Sequence, residues 1–141
     1  MANFSEEFEK LILAEGGYVK DPDDAGGETY LGISRVNNPN WEGWTIIDKV
    51  KKEHGTKGIT ARLKKDENLT NSAKALYKEK YWDILELDDI PSQGIAHQLF
   101  DTCVNCGPTT AIRIAQRVAG TDITGKWNKD IKDKLMEYGR L

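Results

Sequence analysis

The chain has 141 residues, enough for one globular domain whose core needs no disulfide framework or structural metal. Its composition is that of an ordinary folded protein, with 38% hydrophobic and 30% charged residues, and no apolar run is long enough to cross a bilayer. A net charge of −3 with scattered basic residues excludes a strong electrostatic footprint for nucleic acid, and it gives no long-range attraction to anionic polymers either.

The N-terminal residues are typical of a helix and not of a signal peptide. Residues 1–7 lack a basic stretch followed by an apolar one, so we expect synthesis in the cytoplasm without a signal peptide. Asn3 and Glu6 have the spacing of a capping box, and the apolar residues after them recur at helical intervals. The pattern predicts a first helix over residues 4–14, ended by Gly16 and Gly17.

The remaining elements follow from turn residues and helical periodicity. Residues 18–31 contain two short extended stretches around a segment rich in Asp, Pro and Gly, which predicts an irregular hairpin. Helices are predicted over residues 41–53, over 70–83, from Pro91 to a break at Gly107-Pro108, over 111–118 and over 127–138. The sequence therefore predicts a mainly α domain with a small irregular β-hairpin after the first helix.

Glu15 is the residue of the first helix best suited to chemistry. It stands at the predicted helix C-terminus, where the partial negative charge of the helix opposes ionisation of a carboxylate. A carboxyl group kept protonated near neutral pH is what a glycosidase needs in order to protonate the leaving oxygen. The alternative, from this stretch alone, is a solvated glutamate that ends a helix.

The residues around and after Glu15 form an ordered set of motifs. Glu15-Gly16-Gly17-Tyr18-Val19 is followed by Asp21-Pro22, Asp23, Gly26-Gly27-Glu28-Thr29 and Gly32-Ile33, then by Tyr81-Trp82-Asp83, Phe100-Asp101, Val104-Asn105, Gly107-Pro108, Ala111-Ile112 and Gln116. This set, spread over residues 5–120, resembles glycoside hydrolase family 108, lysozyme-like N-acetylmuramidases found among phage endolysins and bacterial proteins, some labelled secretion activators. The resemblance implies a lysozyme-like fold and cleavage of the β-1,4 bond between N-acetylmuramic acid and N-acetylglucosamine.

The resemblance also implies which residues act. The glutamate of the family's Glu-Gly-Gly-Tyr motif is catalytic, and Glu15 holds that position here. The order Glu15, Asp24, Thr29 is similar to the Glu, Asp, Thr order of phage-type lysozymes. By that analogy Asp24 stabilises the oxocarbenium-like transition state or activates a water, and Thr29 positions that water. Asp23 is nearly as suitable as Asp24 for the second carboxylate.

Three residues are expected to contact the sugar. Tyr30 follows Thr29 on the predicted hairpin, and Asn105 lies in a motif that resembles the family's. Together with Asp23 they form the expected substrate-binding set. Most of the remaining aromatic residues recur at helical spacing, which favours a place in the core.

The segment 21–27 has two other interpretations. Its residues are also typical of a hydrogen-bonded turn without a catalytic role. An EF-hand calcium loop beginning at Asp21 would place Ala25 at its fifth position and Gly32 at its twelfth, without the required bidentate glutamate.

The two cysteines fall inside a helical apolar pattern without a preceding strand, which favours core thiols over a redox site. The two histidines, His54 and His97, are far apart in the sequence, which argues against a zinc site. We therefore expect no metal and no cofactor.

The predicted organisation is a lysozyme-like catalytic domain over residues 1–120, with a terminal helix over residues 121–141 that resembles the start of a peptidoglycan-binding segment. The expected partners are glycan strands of peptidoglycan, and nucleic acid is not expected to bind. We also expect a monomer without an integral membrane segment. The enzyme would reach the cell wall or periplasm after holin-type release, dedicated secretion or lysis. Two alternatives remain: a non-catalytic peptidoglycan-binding or secretion-assisting protein with the same fold, and a lytic transglycosylase that uses the same acid.

Overall fold

The computed structural model describes residues 2–14, 16–20 and 27–138. The helices in these residues are α1 Phe4–Ala14, α2 Gly43–His54, α3 Ile59–Lys64, α4 Glu67–Tyr77, α5 Gln93–Cys106, α6 Pro108–Ala119 and α7 Lys129–Tyr138. The strands are β1 Tyr18–Lys20, β2 Glu28–Tyr30 and β3 Ile33–Ser34, which form one antiparallel sheet in that order. This arrangement confirms the predicted mainly α fold with a small hairpin after the first helix. No helix in the described part of the chain has the length and apolarity needed to cross a membrane.

Helix α1 has the bounds that the sequence predicts, but its cap differs from a complete capping box. The Asn3 side chain accepts a hydrogen bond from the backbone N–H of Glu6 at 3.3 Å. The backbone N–H of Asn3 donates to the side chain of Gln93 at 2.6 Å instead of to Glu6. The start of α1 is therefore fixed partly by α5, a long-range contact that no local pattern predicts.

One compact unit consists of Met1–Phe8 and Tyr77–Leu141. Its core is an aromatic cluster in which the ring of Phe4 lies 5.3 Å from Trp82 and 5.7 Å from Phe100 between centroids. Such tilted and edge-to-face pairs add to the free energy gained by burying the rings. The cluster joins the first helix to α5 and to the helical turns before it.

The sequence-based helix over residues 70–83 differs from the structure at both ends. It begins earlier, at Glu67, because the Asp66 side chain accepts a hydrogen bond from the backbone N–H of Leu69 at 3.0 Å and caps the helix. After Tyr77 the chain continues in a π-helical turn that ends at Trp82, whose indole N–H donates to Asp88 at 2.8 Å. The π-turn places this indole in the core.

The junctions around α5 follow local rules. Ser92 caps the helix by accepting from the backbone N–H of Ile95 at 3.2 Å, so Pro91 precedes the helix and does not lie in its first turn as predicted. The predicted break is confirmed, since Gly107 has a φ of 89° and Pro108 begins α6.

A buried glutamine anchors the segment between α6 and α7. The Gln116 side chain is completely buried, accepts from the backbone N–H of Gly125 at 3.0 Å and donates to the Lys126 carbonyl at 3.1 Å. Further on, the Trp127 indole donates to Glu86 at 2.6 Å. Residues on both sides of the predicted boundary at residue 120 belong to the same compact unit.

The second compact unit is Glu9–Leu76. Its core contains the buried side chains of Trp44, Ile47 and Leu63. Gly43 lets Trp41 pack edge-on against Trp44, because a Cβ at Gly43 would lie 2.3 Å from the Trp41 ring. The short helix α3 in this unit is absent from the sequence-based prediction.

Candidate active site

The chain just after Glu15 is held against α3. Strand β1 starts with Tyr18, whose backbone N–H donates to the hydroxyl of Thr60 at 3.1 Å. Gly17 lies so close that an added Cβ would be 2.1 Å from the Thr60 methyl group, whereas Gly16 has open space around it. The second glycine of the Glu-Gly-Gly-Tyr motif therefore has a packing role, and it fixes how the chain enters β1.

Strand register separates the hairpin side chains into two faces. The paired positions are Tyr18 with Tyr30, Val19 with Thr29, and Lys20 with Glu28 on β1 and β2, then Thr29 with Ser34 on β2 and β3. Successive side chains of a strand alternate between faces, so Thr29 shares a face with Val19 and Ser34. Thr29 is partly exposed and Val19 is 50% exposed. Thr29 therefore lies on the more open face of the sheet.

An ion cluster occupies the opposite face around Glu28. Its carboxylate accepts hydrogen bonds from the hydroxyl of Tyr18, from Nζ of Lys51 at 2.8 Å and from Arg35 at 3.0 Å. Arg35 also makes a bidentate salt bridge with Asp48, in which Nη1 donates to Oδ1 and Nη2 donates to Oδ2, each at 2.8 Å. The cluster links β1, β2 and α2, and it connects the two strands that flank residues 21–26.

The cluster keeps Glu28 ionised. Burial of its side chain, which is 10% exposed, opposes ionisation, but the hydrogen bonds from Lys51, Tyr18 and Arg35 outweigh burial and lower the pKa. The hydrogen bond to Glu28 raises the pKa of Lys51 in turn. Because a general acid must be protonated, Glu28 is poorly suited to that role and instead holds the hairpin together.

The predicted site residues fall into four groups. Glu15, Asp23 and Asp24 lie outside the described residues. Thr29 is on the open face of the sheet, and the predictions for these four residues stay predictions. Tyr30, in contrast, is completely buried, so the expectation that its ring contacts sugar does not fit this position.

Burial has a clear electrostatic effect on Tyr30. It raises the pKa of the phenol to about 12, and the hydroxyl has no hydrogen-bond partner among the described residues. The residue serves the core of the unit Glu9–Leu76.

Asn105 occupies a separate part of the fold. It is exposed near the end of α5, in the unit Met1–Phe8 with Tyr77–Leu141. Its surface position is compatible with a sugar contact, which also stays a prediction.

A buried carboxylate in that same unit is absent from the sequence-based prediction. Glu7 on α1 is 2% exposed, and its oxygens contact the side chain of Gln93 at 2.8 Å and Nδ1 of His97 at 2.5 Å. The signal was available, since Glu7 falls between Phe4 and Phe8 on the apolar face of the helix. Its partners on α5 could not be predicted from that position alone.

Among the described residues, neither the cysteines nor an apolar groove adds a further catalytic group. Cys103 is buried, which raises the pKa of its thiol to about 12, whereas Cys106 is exposed rather than in the core. An apolar groove of about 650 Å³ between α5, α6 and α7 is lined by no titratable side chain among the residues described. No group of three or more His, Cys, Asp or Glu side chains that could hold a metal ion occurs among residues 2–14, 16–20 and 27–138.

Both the sequence and the fold match known proteins. Residues 8–107, more than half of the chain, match the model of glycosyl hydrolase 108. The chain belongs to this family. A solved structure of SagA from Brucella abortus is similar to the chain with a TM-score of 0.67 and 28% identity, over 95% of this chain and 68% of that one. No curated protein matches the sequence. Membership of the glycosyl hydrolase 108 family identifies the chain as a glycoside hydrolase with a lysozyme-like, mainly α fold.

Proposed function

We propose that this glycosyl hydrolase 108 member is an N-acetylmuramidase with Glu15 as its general acid. It would cleave the β-1,4 bond between N-acetylmuramic acid and N-acetylglucosamine in peptidoglycan. The observation that carries the proposal is the family match over residues 8–107, which includes Glu15, the hairpin and Thr29. The glutamate of the Glu-Gly-Gly-Tyr motif, implied to be catalytic by the resemblance, is intact in this chain.

The end of α1 supplies a suitable setting for a general acid. Glu15 directly follows Ala14, the last residue of α1, where unpaired carbonyl groups carry partial negative charge. The last turn of α1 has no basic residue that would favour the ionised carboxylate. These features favour a raised pKa, so that the carboxyl group could protonate the leaving glycosidic oxygen near neutral pH.

The second carboxylate of the proposed site lies in the segment between the two hairpin strands. The Glu28 carboxylate is already engaged by its hydrogen-bonding and cation partners, so its charge is not available to the transition state. Asp24, or Asp23 in its place, is therefore the better carboxylate to face the oxocarbenium-like transition state. Thr29, on the more open face of the sheet, would position the attacking water by its hydroxyl group. In this scheme Glu15 gives its proton to the leaving sugar as the bond to the anomeric carbon breaks. A water then bonds to that carbon and gives up a proton to an ionised carboxylate of the site.

The expected setting follows from the substrate. Glycan strands of peptidoglycan are the proposed partner, and the enzyme would act as a monomer on the cell wall or in the periplasm. Release by a holin, dedicated secretion or lysis would bring it there.

The proposal is tested by comparing Glu15→Gln with Glu9→Gln on purified peptidoglycan. Both changes remove one carboxylate from the same stretch of chain, and Glu9 is exposed on α1. Removing a general acid lowers the rate by a factor of about 100 or more, so Glu15→Gln should release almost no soluble fragments while Glu9→Gln remains active. Circular dichroism checks that both variants fold. An active Glu15→Gln variant would refute the assignment, and an inactive folded wild type would favour the non-catalytic wall-binding alternative.

A further inference from the structure

A polar groove lies within the unit Glu9–Leu76, between α2 and α4. It has a volume of about 390 Å³ and is lined by Glu42, Ile46, Asn68, Asn71 and Ser72. The three α4 residues are spaced three and four positions apart and therefore share one face of the helix. Glu42 and Ile46 are likewise one turn apart, where α2 begins. We refer to this feature as the α2–α4 groove.

Contacts beside the groove fix its shape before any ligand arrives. The Trp41 indole donates to the backbone carbonyl of Ser72 at 3.2 Å, and the Ser72 hydroxyl donates to Glu42 at 2.9 Å. Trp41 is itself packed against Trp44, with ring centroids 5.3 Å apart. Because these contacts join α2 to α4, binding in the groove would require little reorganisation of the protein.

The groove offers hydrogen-bonding groups that none of the described residues uses. Asn68 and Asn71 are exposed, and within the described ranges their carboxamides make no hydrogen bond. Each carboxamide supplies two N–H donors and one carbonyl acceptor. Ile46 adds an apolar side chain to the lining. A ligand with adjacent donors, acceptors and a small apolar group fits this combination.

The charge of the lining narrows the class of ligand. Glu42 is the only charged residue among the lining side chains, and no lysine or arginine lies among them. A phosphate or carboxylate ligand would therefore meet a negative charge without a compensating cation. Neutral polyhydroxyl compounds fit better, because their hydroxyl groups can donate to the carboxylate and to the carboxamide oxygens.

We propose that the α2–α4 groove binds an N-acetylated sugar. The acetamido group has one N–H and one carbonyl, which complement the carboxamides of Asn68 and Asn71, and its methyl group can rest on Ile46. Sugar hydroxyls can donate to Glu42. This assignment deepens the proposed function, on which it rests, because glycan strands of peptidoglycan consist of N-acetylated sugars. The groove would hold one sugar of such a strand.

The test is a titration of the full chain carrying Glu15→Gln with tetra-N-acetylchitotetraose, followed by NMR. The side-chain amide signals of Asn68 and Asn71 should shift and saturate. The added pair of changes Asn68→Ala and Asn71→Ala should weaken binding about tenfold, as expected for the loss of two neutral hydrogen bonds. Alanine is a better helix former than asparagine, so these changes should not unfold α4. Thr45→Ala, at an exposed position of α2 outside the lining, should leave binding unchanged.

Cellotetraose, which lacks acetamido groups, separates sugar recognition in general from recognition of the acetamido group. It should bind at least tenfold more weakly than the acetylated probe. Unshifted Asn68 and Asn71 amides, unchanged binding by the double variant, or equal binding of the two sugars would each overturn the proposal. Fragment release from peptidoglycan by the wild type is measured in parallel. An active enzyme with an empty groove would refute only the groove, whereas an occupied groove in an inactive protein would refute only the muramidase.

Discussion

Replacing Glu28 by glutamine tests whether the ion cluster holds the hairpin. Glutamine keeps the size of the side chain but removes the charge that Tyr18, Lys51 and Arg35 contact. Hydrogen bonds to a charged group contribute about 1.5–3 kcal/mol each. Part of this free energy is recovered in the variant, because Lys51 and Arg35 are 24% and 35% exposed and can be hydrated. Arg35 also keeps Asp48 as a partner. We expect the free energy of unfolding to fall by about 2 kcal/mol at neutral pH.

The pH dependence of this loss identifies its cause. The folded protein holds the pKa of Glu28 below its ordinary value of 4.5. A lowered pKa contributes stability that is complete above the ordinary value and is lost as pH falls through the lower folded value. The difference between wild type and Glu28→Gln should therefore be largest at neutral pH and shrink steadily below pH 4.5. Urea unfolding followed by circular dichroism measures both quantities.

Glu79→Gln is the matched control. Glu79 is exposed and has no hydrogen bond or ion pair among the residues described, so its replacement should change stability by less than about 0.5 kcal/mol. A Glu28→Gln variant that is no less stable than Glu79→Gln at neutral pH would refute the stabilising role of the cluster. A loss that stays constant into acid would contradict it too, since packing and not charge would then be responsible.

Three further predictions concern packing and thiol reactivity. Gly17→Ala should lower the free energy of unfolding by about 2 kcal/mol, because the added Cβ overlaps a side chain of α3, whereas Gly16→Ala should lower it little. Equal free energies of unfolding for the two variants in urea titrations would contradict this. Gln116→Ala should cost about 2–3 kcal/mol by leaving buried groups of the loop before α7 unpaired, and a thermal unfolding midpoint equal to wild type would refute that role. Iodoacetamide should label Cys106 first under native conditions, because burial keeps the thiol of Cys103 protonated; mass spectrometry showing equal labelling would count against the buried position.

Elements with strong local signals could be predicted from the sequence. The bounds of α1 followed from a capping residue and two glycines, and the break between α5 and α6 followed from Gly107 and Pro108. The hairpin followed from its turn-forming residues. In each case the backbone conformation depends on residues next to one another in the chain.

Features that depend on distant residues were missed. Helix α3 has only six residues with two buried side chains, too short for a periodic signal. The partners of Glu28 on α2 and of Glu7 on α5 are set by tertiary packing, so neither group of contacts can be predicted from neighbouring residues. For the same reason the place of Tyr30 in the core could not be separated from a place on the hairpin surface.

Bond cleavage by Glu15 is tested by mass spectrometry of the ends that the wild type releases from purified peptidoglycan, with Glu15→Gln in parallel. We expect fragments with reducing N-acetylmuramic acid ends from the wild type and almost none from the folded variant. Reducing N-acetylglucosamine ends would contradict cleavage at the proposed bond. Anhydro ends would show that the reaction is lytic transglycosylation and not hydrolysis. Equal release by the two proteins would contradict the role of Glu15 itself.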